Sequence, residues 1–124
     1  MLAHEKLDVY RCATEYIARV GPLLDALPAG SAAIRDQLER ASLSVVANIA
    51  EGAGLRTPKE KSRHYAIARG SAMECAALLD VCRLRHLCTP DQQEAPKQLL
   101  ARIASMLTRI MQPRAPADPA LDEF

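Results

Sequence analysis

Residues 48–60 read Asn48-Ile49-Ala50-Glu51-Gly52-Ala53-Gly54-Leu55-Arg56-Thr57-Pro58-Lys59-Glu60, and this stretch decides the fold. Upstream of it, Ile34, Leu38, Ala41, Val45 and Ile49 recur at three-and-four spacing, which places them on one stripe of a helix. Gly52 and Gly54 are expected to stop that helix. Thr57 then stands at the N-cap position, Pro58 at the first helical position and Glu60 at the third, the reciprocal arrangement of a capping box. Downstream, Tyr65, Ala68, Ala72, Cys75, Leu79 and Cys82 form a second inward stripe. Arg83, Arg85 and His86 place cations at its carboxyl end, expected near Leu87. Two helices joined by a short turn centred near Leu55 make an antiparallel hairpin.

The flanks extend the pattern. Leu7, Tyr10, Ala13, Ile17, Val20, Leu24 and Leu27 form an earlier stripe ended by Pro28-Ala29-Gly30, and Ser31 is placed to accept the first free amides of the helix that follows. Thr89-Pro90-Asp91-Gln92 repeats the cap pattern ahead of Leu99, Leu100, Ile103, Leu107 and Ile110. Pro96 removes an interior hydrogen bond and is expected to shorten or kink the first turn of that helix. Pro113, Pro116 and Pro119 forbid its extension. With no alternating strand pattern, the sequence predicts an all-α fold: an up-down-up-down antiparallel four-helix bundle over residues 1–111, followed over 112–124 by a Pro-rich acidic tail without fixed structure. Leu43, Val46, Ala47 and Ala50 make the other face of the second helix scarcely more polar, so a second surface is expected to cover it in a homo-oligomer.

At 124 residues the chain suits one compact domain and excludes a multidomain enzyme. Hydrophobic residues at 49% and charged residues at 25% are ordinary for a globular domain, while aromatics at 3% leave the core to Leu, Ile, Val, Met and Ala. The amino terminus carries acidic residues where a signal peptide needs a cationic start, and no apolar stretch is long enough to span a bilayer. A cytoplasmic protein with no membrane partner is expected. Cys12, Cys75, Cys82 and Cys88 contain no Cys-x-x-Cys pair and read as reduced thiols.

Polar residues interrupt the apolar hairpin at a few places. Arg40, Ser44, Asn48 and Glu51 on the second helix face Gly70, Ser71 and Glu74 on the third, with Ser42 nearby. The predicted register sets Arg40 and Ala41 opposite Gly70, Ser44 opposite Ala66, and Glu51 opposite Lys59. Gly70 would then let the backbones approach at Ala41, and Glu74 would meet Arg40 or Gln37. Glu51, in the last turn of a helix, requires a compensating donor such as Lys59, Arg63 or free amides. These groups read either as interhelical bonds that fix register or as a binding site.

The net charge of +1 gives no global pull toward nucleic acid, so any basic surface is local. Between Ala53 and Ser71 it exists: Arg56, Lys59, Lys61, Arg63 and Arg69 stand against the single acid Glu60. Arg56, Lys59, Arg63 and Arg69 are candidate nucleic-acid contacts, with a solvated helix face or subunit-pairing residues as the alternative. Cys82, His86 and Cys88 match no closed zinc pattern, and none of His4, His64 and His86 follows a Glu by three residues as a di-iron bundle requires. With no nucleophile elbow and no phosphate-binding loop either, no enzyme, cofactor or metal is expected.

Gln37, Arg40-Ala41-Ser42, Ser44-Val45 and Asn48-Ile49-Ala50-Glu51-Gly52, followed by Arg56, Glu60, Ile67-Ala68-Arg69-Gly70-Ser71 and Glu74, resemble the four-helix bundle protein family that includes the 23S rRNA intervening sequence proteins. Leu7-Asp8-Val9-Tyr10 and Met106-Leu107 resemble its ends, so the likeness spans Leu7 to Met111. The resemblance implies a homopentamer. One branch, the accessory variability determinant proteins of diversity-generating retroelements, works with a reverse transcriptase and binds nucleic acid through a strongly basic barrel. This chain is near neutral, has Glu39 where the family often has a second base beside Arg40, and carries Pro96. The expected function is a noncatalytic oligomeric accessory factor that partners itself and RNA or a nucleic-acid-processing protein. The alternative is a purely protein-binding scaffold.

Overall fold

The computed structural model describes residues 2–112, and the expected tail from Pro113 onward lies outside the described residues. A 3₁₀ turn at Ala3–Lys6 leads into α1 (Asp8–Ala26), α2 (Ala32–Gly54), α3 (Pro58–Leu84) and α4 (Pro90–Met111), with no strand among the described residues. Each helix packs on its neighbours in sequence and α4 closes onto α1, which gives the antiparallel four-helix arrangement. Tyr16, Leu38, Val45, Ile49, Leu79, Leu100, Ile103 and Leu107 fill the centre with essentially no exposure.

On α1 the inward stripe differs from the expected one. Val9, Cys12, Ala13, Tyr16, Val20, Leu23 and Leu27 are buried, while Leu7, Tyr10, Ile17 and Leu24 flank the core. Both sets obey three-and-four spacing on a wide apolar arc, and the rotation is fixed by Tyr16, whose hydroxyl lies 2.8 Å from Ser42 Oγ in the interior. Sequence spacing does not register that partner across the bundle.

Ser31 does not cap α2. It is buried within a 3₁₀ turn at Ala29–Ser31 and makes no side-chain cap bond. The turn is held instead by Arg35, which donates from Nε to Leu24 O at 3.2 Å and from Nη2 to Leu27 O at 2.6 Å, and so ties the end of α1 to α2. Gly52 does not stop α2 either. The helix runs on to Gly54, and Gly52 is buried where a Cβ would come within 2.8 Å of Tyr65 Cε1. The glycine admits the Tyr65 ring.

The start of α3 follows the expected cap, with Glu60 N donating to Thr57 Oγ1 at 3.1 Å, although the Thr57 hydroxyl, not its amide, donates to the Glu60 carboxylate. The box at Thr89 and Gln92 is complete in both directions. Pro96 does not break α4, which runs as one helix from Pro90 to Met111. Its ring is buried, and Gln92, whose carbonyl loses its partner, is an exposed residue in the first turn. α3 ends at Leu84 through two bonds, Leu87 N to Cys82 O at 2.8 Å and His86 N to Arg83 O at 3.0 Å, with His86 in the left-handed region at φ 59°.

Candidate functional site

The polar residues singled out in the hairpin lie along the seam of α2 and α3. Ser44 Oγ and Ser71 Oγ share a hydrogen bond of 2.8 Å. One turn on, the Asn48 amide donates from Nδ2 to Ser44 O at 3.0 Å and to Ser44 Oγ at 3.1 Å. That orientation turns Asn48 Oδ1 toward His64, whose Nδ1 lies 3.0 Å away, so the network assigns the proton to Nδ1. Glu51 Oε2 is 3.5 Å from the same nitrogen. At the far end, Gln37 Nε2 donates to Glu74 Oε2 at 3.5 Å, one of the two partners expected for that carboxylate.

The register is displaced from the expected one. Ser44 faces Ser71, not Ala66, and Glu51 meets His64, not Lys59. The continuation of α2 through Gly52 to Gly54 moves the centre of the turn to Arg56 and so shifts the pairing in this direction. Gly70 leaves the seam altogether: it is exposed, and a Cβ there would meet no atom within 4 Å, so it does not permit the close approach expected at Ala41. The compensating cation at the end of α2 is Lys61, whose Nζ donates to Gly52 O at 3.3 Å and Ala53 O at 2.9 Å.

Above the seam a groove of 540 Å³ is bordered by Asp36, Gln37, Arg40, Ser44, Ser71 and Glu74. It displays both signs of charge and hydroxyls paired with each other. Beneath it, Ser42 Oγ lies 3.6 Å from Cys75 Sγ and bonds Tyr16, a buried chain across three helices. Burial pushes the Cys75 thiol up, against the smaller opposing effect of hydrogen bonds from Ser42 and Tyr16, and burial raises Cys12, Cys82 and Cys88 as well. A thiol held above its usual range is a weaker nucleophile source, not a stronger one. Among the described residues no group of three or more His, Cys, Asp or Glu could hold a metal ion, and no helix is long and apolar enough to cross a membrane.

The basic cluster divides. Arg56, Lys59 and Arg63 are exposed around the α2–α3 turn, and none has an ionic partner among the described residues. Arg69 turns instead to α4, with Nε donating to Thr108 Oγ1 at 2.7 Å. Tyr65 is buried as its place on the inward stripe predicts, whereas His64 as the partner of Asn48 and Glu51, and Lys61 as the cation at the end of α2, are roles that sequence reasoning missed. The available signal was symmetry about the turn, since Asn48 and His64 lie equally far from Arg56.

A family model described as 23S rRNA-intervening sequence protein matches residues 5–109. A crystal structure of a protein of unknown function from the S23 ribosomal protein family of Bacteroides thetaiotaomicron superposes with a TM-score of 0.78 at 21% identity, covering 85% of this chain and 99% of that one. At that identity the likeness shows the fold. No curated protein matches the chain.

Proposed function

This chain belongs to the 23S rRNA-intervening sequence protein family, and from that premise we propose that it is a noncatalytic helical-bundle protein that self-associates and binds RNA through the turn between α2 and α3. One observation carries the reading: Arg56, Lys59 and Arg63 are exposed and have no ionic partner among the described residues, while Glu60, the acid within that turn, is engaged by the Thr57 hydroxyl. Cations without a carboxylate partner are free to meet phosphate and release its counterions. Arg40 and Arg69 stand apart from this edge, one at the groove and one bonded to Thr108.

Support for self-association comes from apolar side chains left uncovered on the outer faces of α2 and α3. Leu43, Ile67, Met73, Val81 and Leu84 are between 37% and 73% exposed. A homopentamer, the state implied by the family resemblance, would repeat the basic edge about its axis. Light scattering at micromolar concentration that returned a monomer would sink the oligomer. The same apolar residues favour a second reading, a protein-binding scaffold in which Arg56, Lys59 and Arg63 close subunit contacts.

Binding to single-stranded RNA over a salt series separates the two. Under the RNA reading, affinity falls steeply with salt, and changing Arg56, Lys59 and Arg63 together to Gln flattens the slope by roughly 0.7 per lost phosphate contact while helicity and assembly persist. Dissociation of that triple variant, or no RNA binding by the parent at low salt, selects the scaffold.

A further inference from the structure

We infer that the cavity between the amino-terminal 3₁₀ turn and the adjoining ends of α2, α3 and α4 binds a small monoanion whose apolar body is about one ring across. The inference stands independently of RNA binding. The cavity measures 140 Å³ and is lined by Ala3, Leu7, Ala53, Lys61, Tyr65 and Ile110. An enclosure of about 150 Å³ accommodates a benzene-sized molecule. Of the lining side chains only those of Lys61 and Tyr65 are polar, and both carry donors.

Tyr65 is only 4% exposed, and burial alone pushes its phenol up, with no hydrogen-bond partner for its hydroxyl among the described residues. A buried tyrosine hydroxyl ordinarily finds one. No fully enclosed side-chain polar atom is left unpaired among the described residues, so this hydroxyl reaches open space, and the cavity is the open space that Tyr65 lines. Lys61 lies one turn before it on the same face of α3. Two of the ammonium hydrogens are directed to Gly52 O and Ala53 O, which leaves a third. A phenol and an ammonium on two side chains that line one largely apolar cavity suit a carboxylate, which accepts from both. A neutral hydrocarbon would leave the phenol and the third ammonium hydrogen without a protein or ligand acceptor. The ring of Tyr65 is itself fixed by its packing on Gly52, so the phenol is positioned before any ligand arrives.

Titration of the full chain with benzoate, followed by heteronuclear NMR of the backbone amides, tests the site, with benzamide as the neutral counterpart and acetate as the counterpart lacking a ring. Saturable millimolar binding is expected, with shifts centred on Ala3, Ala53, Lys61 and Tyr65, about threefold or more tighter for benzoate than for either counterpart. Tyr65→Phe keeps the packing and should weaken benzoate roughly threefold to tenfold, the effect of one lost hydrogen bond. Lys61→Gln should reduce benzoate to the level of benzamide. Should either α3 variant lose helicity, Ala3→Leu on the exposed 3₁₀ turn fills the cavity from its rim and should abolish the shifts. The inference is overturned by the absence of saturable benzoate shifts, by equal binding of benzamide, or by unchanged binding in Ala3→Leu.

Discussion

The seam between α2 and α3 and the seam between α1 and α4 close the same bundle by different chemistry. Across the first run Gln37 to Glu74, Ser44 to Ser71 and Asn48 to His64, a ladder of polar pairs. Across the second, the cross-helix hydrogen bond from a side chain among the described residues is the weak Cys12 Sγ to Leu99 O contact at 3.8 Å, and the join is otherwise made by buried apolar side chains such as Leu99, Ile103 and Leu107. Apolar contact supplies most of the free energy but tolerates sliding and rotation, whereas directional bonds supply little net energy and fix one alignment. The difference assigns stability to the apolar contacts, which Val45, Ile49 and Leu79 also supply beneath the first seam, and register to the polar ladder.

The largest expected effect tests the first half of that assignment. Leu107→Ala removes a fully buried side chain of α4 and should cost about 2 to 5 kcal/mol in urea denaturation, transfer loss and residual cavity together. Ser44→Ala, at the half-buried centre of the polar ladder, should cost only about 0.5 to 1.5 kcal/mol, since water can serve Ser71 in its place. Equal costs would remove the distinction between the seams.

Two glycines of the hairpin sharpen it further. Gly52→Ala drives a methyl to 2.8 Å from Tyr65 Cε1, 3.0 Å from its Cδ1 and 3.3 Å from His64 Cβ, all parts of well-packed residues. Overpacking of this kind outweighs the gain in helix propensity, so a net loss of about 1 to 2 kcal/mol is expected. Gly70→Ala meets nothing within 4 Å and should raise stability by about 0.5 to 1 kcal/mol. Opposite signs in thermal melts are the expected result, and a loss at Gly70 would mean that its face is covered by something other than the described residues.

Helix number, order and approximate extent were legible in the sequence because the apolar stripes and the caps at Thr57 and Thr89 are local signals, complete within one turn. The polar residues of the seam were legible as a set for a related reason: Ser44, Asn48, Ser71 and Glu74 interrupt apolar faces. Their pairing was not, because register depends on where α2 ends, and Gly52 continues a helix that glycine ordinarily weakens. That outcome was decided by Tyr65, a partner on another helix. Arg35 and Lys61 escaped notice in the same way, since long cationic side chains reach carbonyls eight to eleven residues away that no periodic pattern marks. The edge at Arg56, Lys59 and Arg63 could be read as a cluster because its members are near in sequence, while Arg69 was lost to it through Thr108, a contact spanning 39 residues.

The smallest expected effect asks whether the polarity of the α2–α3 side extends to charge. Cys75 lies under that seam beside Ser42 and Tyr16, whose hydrogen bonds favour a thiolate, while Cys12 lies at the α1–α4 seam with Arg102 as its favourable charge. In both, desolvation is the larger influence and raises the pKa above the model-compound value of 9.0. The folded chain therefore holds thiols protonated at a pH where the unfolded chain releases protons, so unfolding is favoured as pH rises. Stability should be insensitive to these groups below about pH 8 and fall above about pH 9. A thiol wholly barred from ionising in the folded state contributes a loss of at most about 1.4 kcal/mol at pH 10. Urea midpoints at pH 7 and pH 10 for Cys75→Ala and Cys12→Ala give the comparison, with the difference between the two pH values cancelling the cavity each substitution leaves. Each variant should recover part of the alkaline loss. If Cys75→Ala recovers none while Cys12→Ala does, hydroxyls of the polar side stabilise a buried thiolate, and the contrast between the seams is one of charge tolerance as well as alignment.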